Sequence, residues 1–226
     1  MSSSKSKNKP LVLVNFKTYL EVSGDRAVIL SKQIEKVKNK KYRLAIAPPT
    51  LYLKEITKIT SKMPVFTQHL DPEGEGAHTG HIIPYEVKKI GVIGTILNHS
   101  EKKLPFDILK KTVEACKHHH LITVVCASTL AEVKNIAELH PDYIAYEPAE
   151  LIGGNISVTD AKPEIISKAV ALIKKTCPKT KVLCGAGVHS REDLLHALKL
   201  GTDGILIAHA VVKAKNPKLF LEKMLS

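Results

Sequence analysis

The chain alternates eight short apolar runs with helical stretches, and this alternation constrains its fold more than any other feature. Each run is continuously apolar, which is typical of parallel strands buried on both faces. The predicted strands are residues 11–16, 43–48, 64–69, 91–97, 121–127, 142–147, 181–186 and 203–208. Eight strands and about eight helices in 226 residues predict an α/β protein with a (β/α)8 barrel. The alternation alone also fits a doubly wound sheet.

The segments between the strands carry apolar residues at helical spacing. The clearest are residues 25–40, 105–120, 162–175 and 191–200. The last begins after Ser190, a preferred N-cap residue, and stops at Gly201. No linker or low-complexity insert interrupts the alternation of strands and helices, so we predict a single barrel domain over residues 10–226. Residues 1–9 are polar and basic and lack the apolar centre of a signal peptide, which predicts a disordered leader.

The formal net charge of +12 suits an acidic partner. The lysines are spread along the chain, and aromatic residues make up only 4% of it, which leaves little surface on which nucleic-acid bases could stack. A positive field that attracts a small phosphorylated metabolite is the better explanation. No apolar run approaches the roughly 20 residues that span a bilayer, so no membrane contact is predicted.

The four cysteines form no CxxC pair and lie in apolar surroundings. They are predicted to be buried thiols of a protein in the reducing cytoplasm. They are Cys116, Cys126, Cys177 and Cys184.

Two polar side chains follow the first predicted strand, at the end of the barrel where functional groups collect. Asn15 and Lys17 are two residues apart, so both can point the same way. A lysine turned into the barrel mouth needs an anion to offset its burial. A lysine turned outward would simply be solvated, and the sequence leaves that alternative open.

A histidine and a glutamate follow two further strands. His99 comes before a predicted short helix, whose positive end would keep the imidazole neutral. A neutral ring can donate a hydrogen bond to a carbonyl oxygen. Glu147 ends the sixth strand, where a carboxylate is a candidate general base, although a salt-bridged structural glutamate is the alternative. Glu101 is either an exposed residue or a partner of this site.

Small residues follow the last two strands. Gly185 and Gly187 end the seventh, and Ala208 and His209 end the eighth. Loops at these positions often bind phosphate through backbone N–H groups, and glycine lets the backbone approach the ligand. A short GxG is a weak signal by itself.

Other histidines give no strong metal signal. His69, His78 and His81 lie near one another in sequence, but their spacing matches no strong zinc pattern. Residues 118–120, three histidines in a row, close a basic helix and are predicted to lie on the surface. We predict neither a metal nor a cofactor.

Five motifs in chain order resemble the triosephosphate isomerase family in its short archaeal form. They are NFKTY, QH with HTGHI, GTILNHSE, AYEPAELIG and CGAGV, each at a predicted strand end. The resemblance covers nearly the whole chain. It implies a cytoplasmic TIM-barrel enzyme of glycolysis and gluconeogenesis that interconverts glyceraldehyde 3-phosphate and dihydroxyacetone phosphate through an enediolate. It also implies that no cofactor is needed, and that the chains associate into dimers or tetramers.

The resemblance assigns a role to each strand-end residue. Glu147 is the catalytic base, His99 the electrophile that polarises the substrate oxygens, and Lys17 the positive charge near the enediolate and the phosphate. Glu101 supports this catalytic trio. Pro148 begins a loop that closes as a lid over the substrate. The implied substrate-binding residues are Asn15, Phe16, Lys17, Ile152, Gly153, Gly187, Ala208 and His209.

The chain departs from the family pattern at several positions. His209 and Ala210 replace a serine and a glycine, and Lys102 replaces an arginine. None of these changes removes a catalytic residue. Two alternatives stay open: a related barrel that acts on another phosphorylated sugar, and a non-enzymatic protein that binds phosphate or nucleic acid.

Overall fold

The computed structural model describes residues 9–148, 157 and 163–226. Eight strands carry the fold: β1 Leu11–Asn15, β2 Arg43–Ala47, β3 Phe66–Thr67, β4 Gly94–Leu97, β5 Ile122–Ala127, β6 Tyr143–Tyr146, β7 Lys181–Cys184 and β8 Gly204–Ile207. The helices are α1 Asp25–Glu35, α2 Leu53–Ile59, α3 Pro84–Lys89, α4 Phe106–His118, α5 Leu130–Ala137, α6 Pro163–Thr176, α7 Arg191–Lys199, α8 His209–Val212 and α9 Pro217–Met224. The leader proposed for the first residues falls largely outside the described part.

The eight strands form a nearly closed parallel barrel. Neighbours in the sheet follow chain order from β3 to β8, and β8 pairs with β1, which pairs with β2. The remaining gap is narrowed by a parallel bridge between Ile46 and Val65. The Ile46 N–H also donates to the Pro64 carbonyl at 3.1 Å. A doubly wound sheet would keep two separate edges, so the barrel prediction is confirmed and the alternative is wrong.

Alternation along the strands divides the apolar side chains into two cores. Leu11 and Leu13 of β1 point into the barrel, together with residues such as Phe66 and Ile96. Val12 and Val14, one position along, belong to the larger core between strands and helices. Strands covered on both faces have no polar face, which explains the continuous apolar runs in the sequence.

All eight strands are shorter than predicted, and two of them, β3 and β4, by three residues or more. Only Phe66 and Thr67 of the predicted run 64–69 have strand geometry. The run 91–97 becomes a strand only at Gly94, because Gly91, with φ of +91°, turns the chain after α3. Apolar composition alone could not separate the turn from the strand.

Helix α7 confirms the predicted helix signals. The Ser190 hydroxyl accepts from the Asp193 N–H at 3.2 Å, and the Asp193 carboxylate accepts from the Ser190 N–H at 3.0 Å. This reciprocal pair is a capping box. Gly201, with φ of +93°, follows the helix in the left-handed region that glycine favours.

The four cysteines are free and buried, as predicted. No helix within the described ranges is long and apolar enough to cross a membrane.

Gly204 is required where β8 meets β1. Its φ is +150°, and a Cβ built there would lie 2.0 Å from the Leu11 carbonyl oxygen. We expect Gly204→Ala to lower the free energy of unfolding by about 3 kcal/mol or more, since it adds backbone strain to a main-chain clash. Urea unfolding followed by circular dichroism measures the change.

The matched control is Gly74→Ala, because a Cβ at Gly74 meets nothing within 4 Å. Its effect should stay within about 0.5 kcal/mol. Equal stability of the two variants would show that the strand contact tolerates a side chain.

Candidate active site

A pocket of about 270 Å³ lies at the carboxyl ends of the strands. It is smaller than the roughly 300–1,000 Å³ typical of sites for drug-sized ligands, so it suits a small metabolite. Nine residues singled out in the sequence line it together: Asn15, Lys17, His99, Glu147, Gly185, Gly187, Ala208, His209 and Ala210.

Strand alternation aims two of these side chains inward. Tyr143 and Ala145 of β6 point into the barrel core, and Glu147 continues the same face two residues later. Asn15 likewise continues the inward face of β1. Asn15 and Glu147 are 5% and 3% exposed, so the barrel mouth buries polar groups whose positions the rigid strands determine.

Two left-handed residues redirect the chain at the mouth. Lys17 has φ of +51° and Asn98 has φ of +55°. The Asn15 side chain accepts from the Lys17 N–H at 3.0 Å. The Asn98 amide donates to the Cys126 carbonyl at 2.9 Å and accepts from the Leu104 N–H at 3.0 Å. Non-glycine residues adopt this conformation at a cost, and such residues cluster at functional sites.

His99 is held as the neutral Nε2–H tautomer. Its Nδ1 accepts from the Glu101 N–H at 3.2 Å, so that nitrogen carries no proton. The proton therefore lies on Nε2, which is 3.3 Å from Glu147 Oε1. The ring can donate one hydrogen bond into the pocket.

Burial, followed by the nearby charge of Lys17, lowers the pKa of His99 to about 4. The Glu101 carboxylate acts in the opposite direction. The predicted helix after His99 is wrong: residues 100–102 form a turn closed by the Lys102 N–H on the His99 carbonyl at 2.8 Å, and α4 begins only at Phe106. The imidazole is neutral because it is buried beside a cation, not because a helix dipole acts on it.

The pKa of Glu147 is shifted in the opposite direction, upward. Burial raises the pKa of its carboxyl to about 7, against the opposing effects of the Cys126 thiol, the Ser100 backbone N–H and Lys17. Its Oε2 is buried and has no hydrogen-bond partner among the described residues. A carboxylate with a raised pKa and an unpaired oxygen in a small pocket is suited to accept a proton.

Gly185 makes room for the Glu147 side chain. A Cβ at Gly185 would lie 2.5 Å from Glu147 Cγ and 3.1 Å from the Tyr146 carbonyl oxygen. The sequence had suggested that this glycine lets the backbone approach a ligand. In the structure it lets the carboxylate cross the neighbouring strand end.

Lys17 and Glu101 complete the charged groups of the site. Lys17 Nζ lies 2.7 Å from Glu101 Oε1, and Glu101 Oε2 lies 3.6 Å from His99 Nδ1. The Lys17 side chain is 21% exposed, so the ammonium faces the pocket without being sealed in it. The Glu101 side chain is 59% exposed and contacts the cation and the ring together.

His209 lies on the pocket rim with two residues that sequence reasoning missed. Its exposed ring packs against Tyr19, with centroids 6.3 Å apart. Lys213 Nζ lies on the same tyrosine, 4.8 Å from its ring centroid. Tyr19 was inside the quoted NFKTY motif, but nothing in the sequence placed Lys213 at the site.

One expected residue, Phe16, does not line the pocket. Phe16 is fully buried in the core between strands and helices, and its N–H donates to the Ala47 carbonyl at 3.0 Å. Ile152 and Gly153, with the rest of the predicted lid tip, lie outside the described residues.

Gln68 was missed as a brace of the site. Its side-chain amide donates to the carbonyls of Lys17 at 3.0 Å and Ala47 at 2.9 Å, so the end of β3 supports the left-handed turn at Lys17. The signal was its position beside His69 in the QH motif.

Within the described part of the chain, no group of three or more His, Cys, Asp or Glu side chains is arranged to hold a metal ion.

Comparison with known proteins agrees with this geometry. The family model described as triosephosphate isomerase matches residues 10–225. A triosephosphate isomerase of Methanosarcina barkeri is 40% identical over 219 residues, which cover 96% of this chain and 97% of the relative. One of Methanocaldococcus jannaschii is 41% identical over 91% of this chain and 94% of its own length. With a family model spanning nearly the whole barrel and relatives of matching length, the chain belongs to the triosephosphate isomerase family.

Proposed function

We propose that the protein interconverts glyceraldehyde 3-phosphate and dihydroxyacetone phosphate. The observation that carries the proposal is a pair of groups whose pKa values are shifted in opposite directions in one small pocket. A buried carboxyl with a raised pKa lies 3.3 Å from a neutral imidazole with a lowered pKa. Groups with pKa values shifted apart in this way divide base and acid roles between them, and triosephosphate isomerase is itself a well-known example of this pairing. The names of the relatives support the same reaction.

Glu147 moves the proton in this proposal. Its carboxylate removes a proton from the carbon next to the substrate carbonyl and returns it to the neighbouring carbon. The raised pKa makes the carboxylate a stronger base than an exposed glutamate. The strand end and Gly185 hold it in position, and positioning carries much of the rate of such reactions.

His99 and Lys17 stabilise the negative charge that develops on the substrate oxygens. The Nε2–H of His99 donates to the carbonyl oxygen. The ring passes this proton to that oxygen and takes up the proton of the neighbouring hydroxyl, so the hydroxyl proton changes oxygen as the carbon proton changes carbon. The Lys17 ammonium adds positive charge in a partly desolvated pocket, where electrostatic effects are larger than in water. A proton shift between adjacent carbons needs a base, a hydrogen-bond donor and an anion-stabilising charge, and these three residues supply them.

The substrate phosphate is proposed to bind on the β7–β8 side of the pocket. Gly187, with φ of +71°, lines the pocket beside Ala208 and His209. Lys213 lines the same rim and adds positive charge. Ile152 and Gly153 remain proposed phosphate contacts by family resemblance. The cytoplasmic, glycolytic and gluconeogenic role and the association into dimers or tetramers also remain proposals, and light scattering tests the last.

Turnover of glyceraldehyde 3-phosphate in a coupled assay tests the function. We expect the wild type to be active and Glu147→Asp to have kcat lowered by about a hundredfold or more, since a base retracted by one methylene is misplaced. Circular dichroism should show that the variant is folded.

The matched control is Glu114→Asp, the same change at an exposed position on α4, which should leave kcat unchanged. A folded, inactive wild type would overturn the proposed reaction, and a substrate panel would then test other phosphorylated sugars. An unchanged kcat in Glu147→Asp would remove Glu147 as the base.

Gly185→Ala separates the two roles considered for this glycine. A methyl group there would push Glu147 aside, so we expect kcat to fall by about tenfold or more while KM changes little. A large rise in KM with kcat unchanged would instead assign Gly185 to substrate binding. Steady-state kinetics measure both, with Gly74→Ala as the control.

A further inference from the structure

A second histidine-centred cluster lies at the opposite end of the barrel from the pocket. His140 is in the turn before β6, while Cys177 and Thr180 lie between α6 and β7. Because β6 and β7 are paired parallel neighbours, these two turns meet at the amino-terminal ends of the strands. Glu147 follows the other end of β6, so the cluster plays no part in the proposed active site.

The imidazole of His140 contacts the thiol of Cys177 directly. His140 Nδ1 lies 3.0 Å from Cys177 Sγ. The His140 backbone has φ of +48°, an uncommon conformation for a residue with a side chain, and this turn orients the ring toward the sulfur. A cysteine beside an imidazole is the arrangement that activates thiol nucleophiles.

Thr180 restricts where the thiol proton can go. Its hydroxyl lies 2.7 Å from the Pro141 carbonyl and 2.9 Å from Cys177 Sγ. The carbonyl can only accept, so it is the natural partner of the single hydroxyl proton. The thiol proton is then directed to the threonine oxygen or to the imidazole, and the imidazole is the only base of the two.

A helix end and two lysines surround the thiol. Cys177 follows the carboxyl end of α6, where the helix dipole opposes negative charge. Two ammonium groups lie nearby: Lys117 Nζ is 2.6 Å from the Leu139 carbonyl, and Lys174 Nζ is 3.2 Å from the Thr180 carbonyl and 3.0 Å from the Asp203 carboxylate, which pairs with its charge. Because the thiolate is the attacking species, attack by Cys177 requires a proton acceptor.

The other three cysteines provide an internal comparison. All four are buried, but Cys116, Cys126 and Cys184 are 0% exposed, whereas Cys177 is 5% exposed and lies beside an exposed histidine. Burial raises the pKa of Cys116 and of Cys184 to about 12. Among the described contacts, Cys177 is the one cysteine with a ring nitrogen at hydrogen-bond distance.

We propose that Cys177 is a modification site, at which the thiol exchanges with low-molecular-weight disulfides and His140 accepts its proton. Cys177 Sγ attacks one sulfur of the disulfide, the S–S bond breaks, and the departing thiolate takes the proton from His140. The products are a mixed disulfide on Cys177 and one free small thiol. No other oxidant or reductant is required, because the small disulfide is reduced as Cys177 is oxidised.

The test treats the full-length protein with bis(2-hydroxyethyl) disulfide near neutral pH and follows each cysteine by peptide mass spectrometry. We expect Cys177 to be modified at least about tenfold faster than any other cysteine. His140→Gln should slow it by about tenfold or more, because general base catalysis typically contributes a factor of about 10²–10⁴. The control His118→Gln changes a histidine whose ring packs on His119, and should have no effect.

A second variant separates chemistry from structure. His140→Gly keeps the left-handed backbone without strain, and added free imidazole should restore the rate of Cys177 modification. Equal modification of all four cysteines would indicate reaction through unfolding and would overturn the proposal. An unchanged rate in His140→Gln, or no rescue by imidazole, would remove His140 as the proton acceptor. The readout is the mass of one peptide, so it is independent of isomerase activity.

Discussion

The burial of one carboxyl group at the end of β6 determines the rest of the site. Glu147 is 3% exposed, and burial raises its pKa to about 7. The same burial requires a glycine at Gly185, because any side chain there would occupy the space of Glu147 Cγ. His99 Nε2 lies 3.3 Å from this carboxylate, and the ring is neutral through its own burial and the nearby charge of Lys17.

This burial lowers the stability of the fold at high pH. Below about pH 4.5 the carboxyl is protonated in both the folded and the unfolded chain and contributes nothing. Between about pH 4.5 and 7 the unfolded chain loses the proton while the folded protein keeps it. The unfolded state is therefore stabilised relative to the folded state as the pH rises. Above about pH 7 the full penalty is present. The eight paired strands and two apolar cores hold the carboxyl in place despite this penalty, as is common at active sites.

Much of the fold could be predicted from the sequence, because the apolar runs of the strands and the cap signals of the helices are both local features. Continuous apolar runs identified the strands, and the Ser190 cap and Gly201 identified the ends of a helix. Glu147 could be placed at the site because it ends the sixth predicted strand. The family resemblance, rather than any single motif, combined these residues into one site.

What the sequence did not show depends on contacts between distant segments. Gln68 supports the Lys17 turn from the end of another strand. Gly185 was predicted to let the backbone approach a ligand, because its closeness to Glu147 arises only when the two strand ends come together in the fold. The stretch after His99 resembled a helix start. There, the bond from the Leu104 N–H to the Asn98 side chain and the left-handed Asn98 backbone favour a turn instead.

The chemistry of the site depends above all on shifting the pKa values of two neighbouring groups in opposite directions. Nuclear magnetic resonance titration of protein labelled with ¹³C-glutamate and ¹⁵N-histidine tests this most directly, with Glu147→Gln and His99→Gln used for assignment. We expect Glu147 to titrate near pH 7, and His99 to keep its single proton on Nε2 until the pH falls to about 4. Titration of Glu147 near 4.5 and of His99 near 6.5, the values of the two groups before any shift, would contradict it.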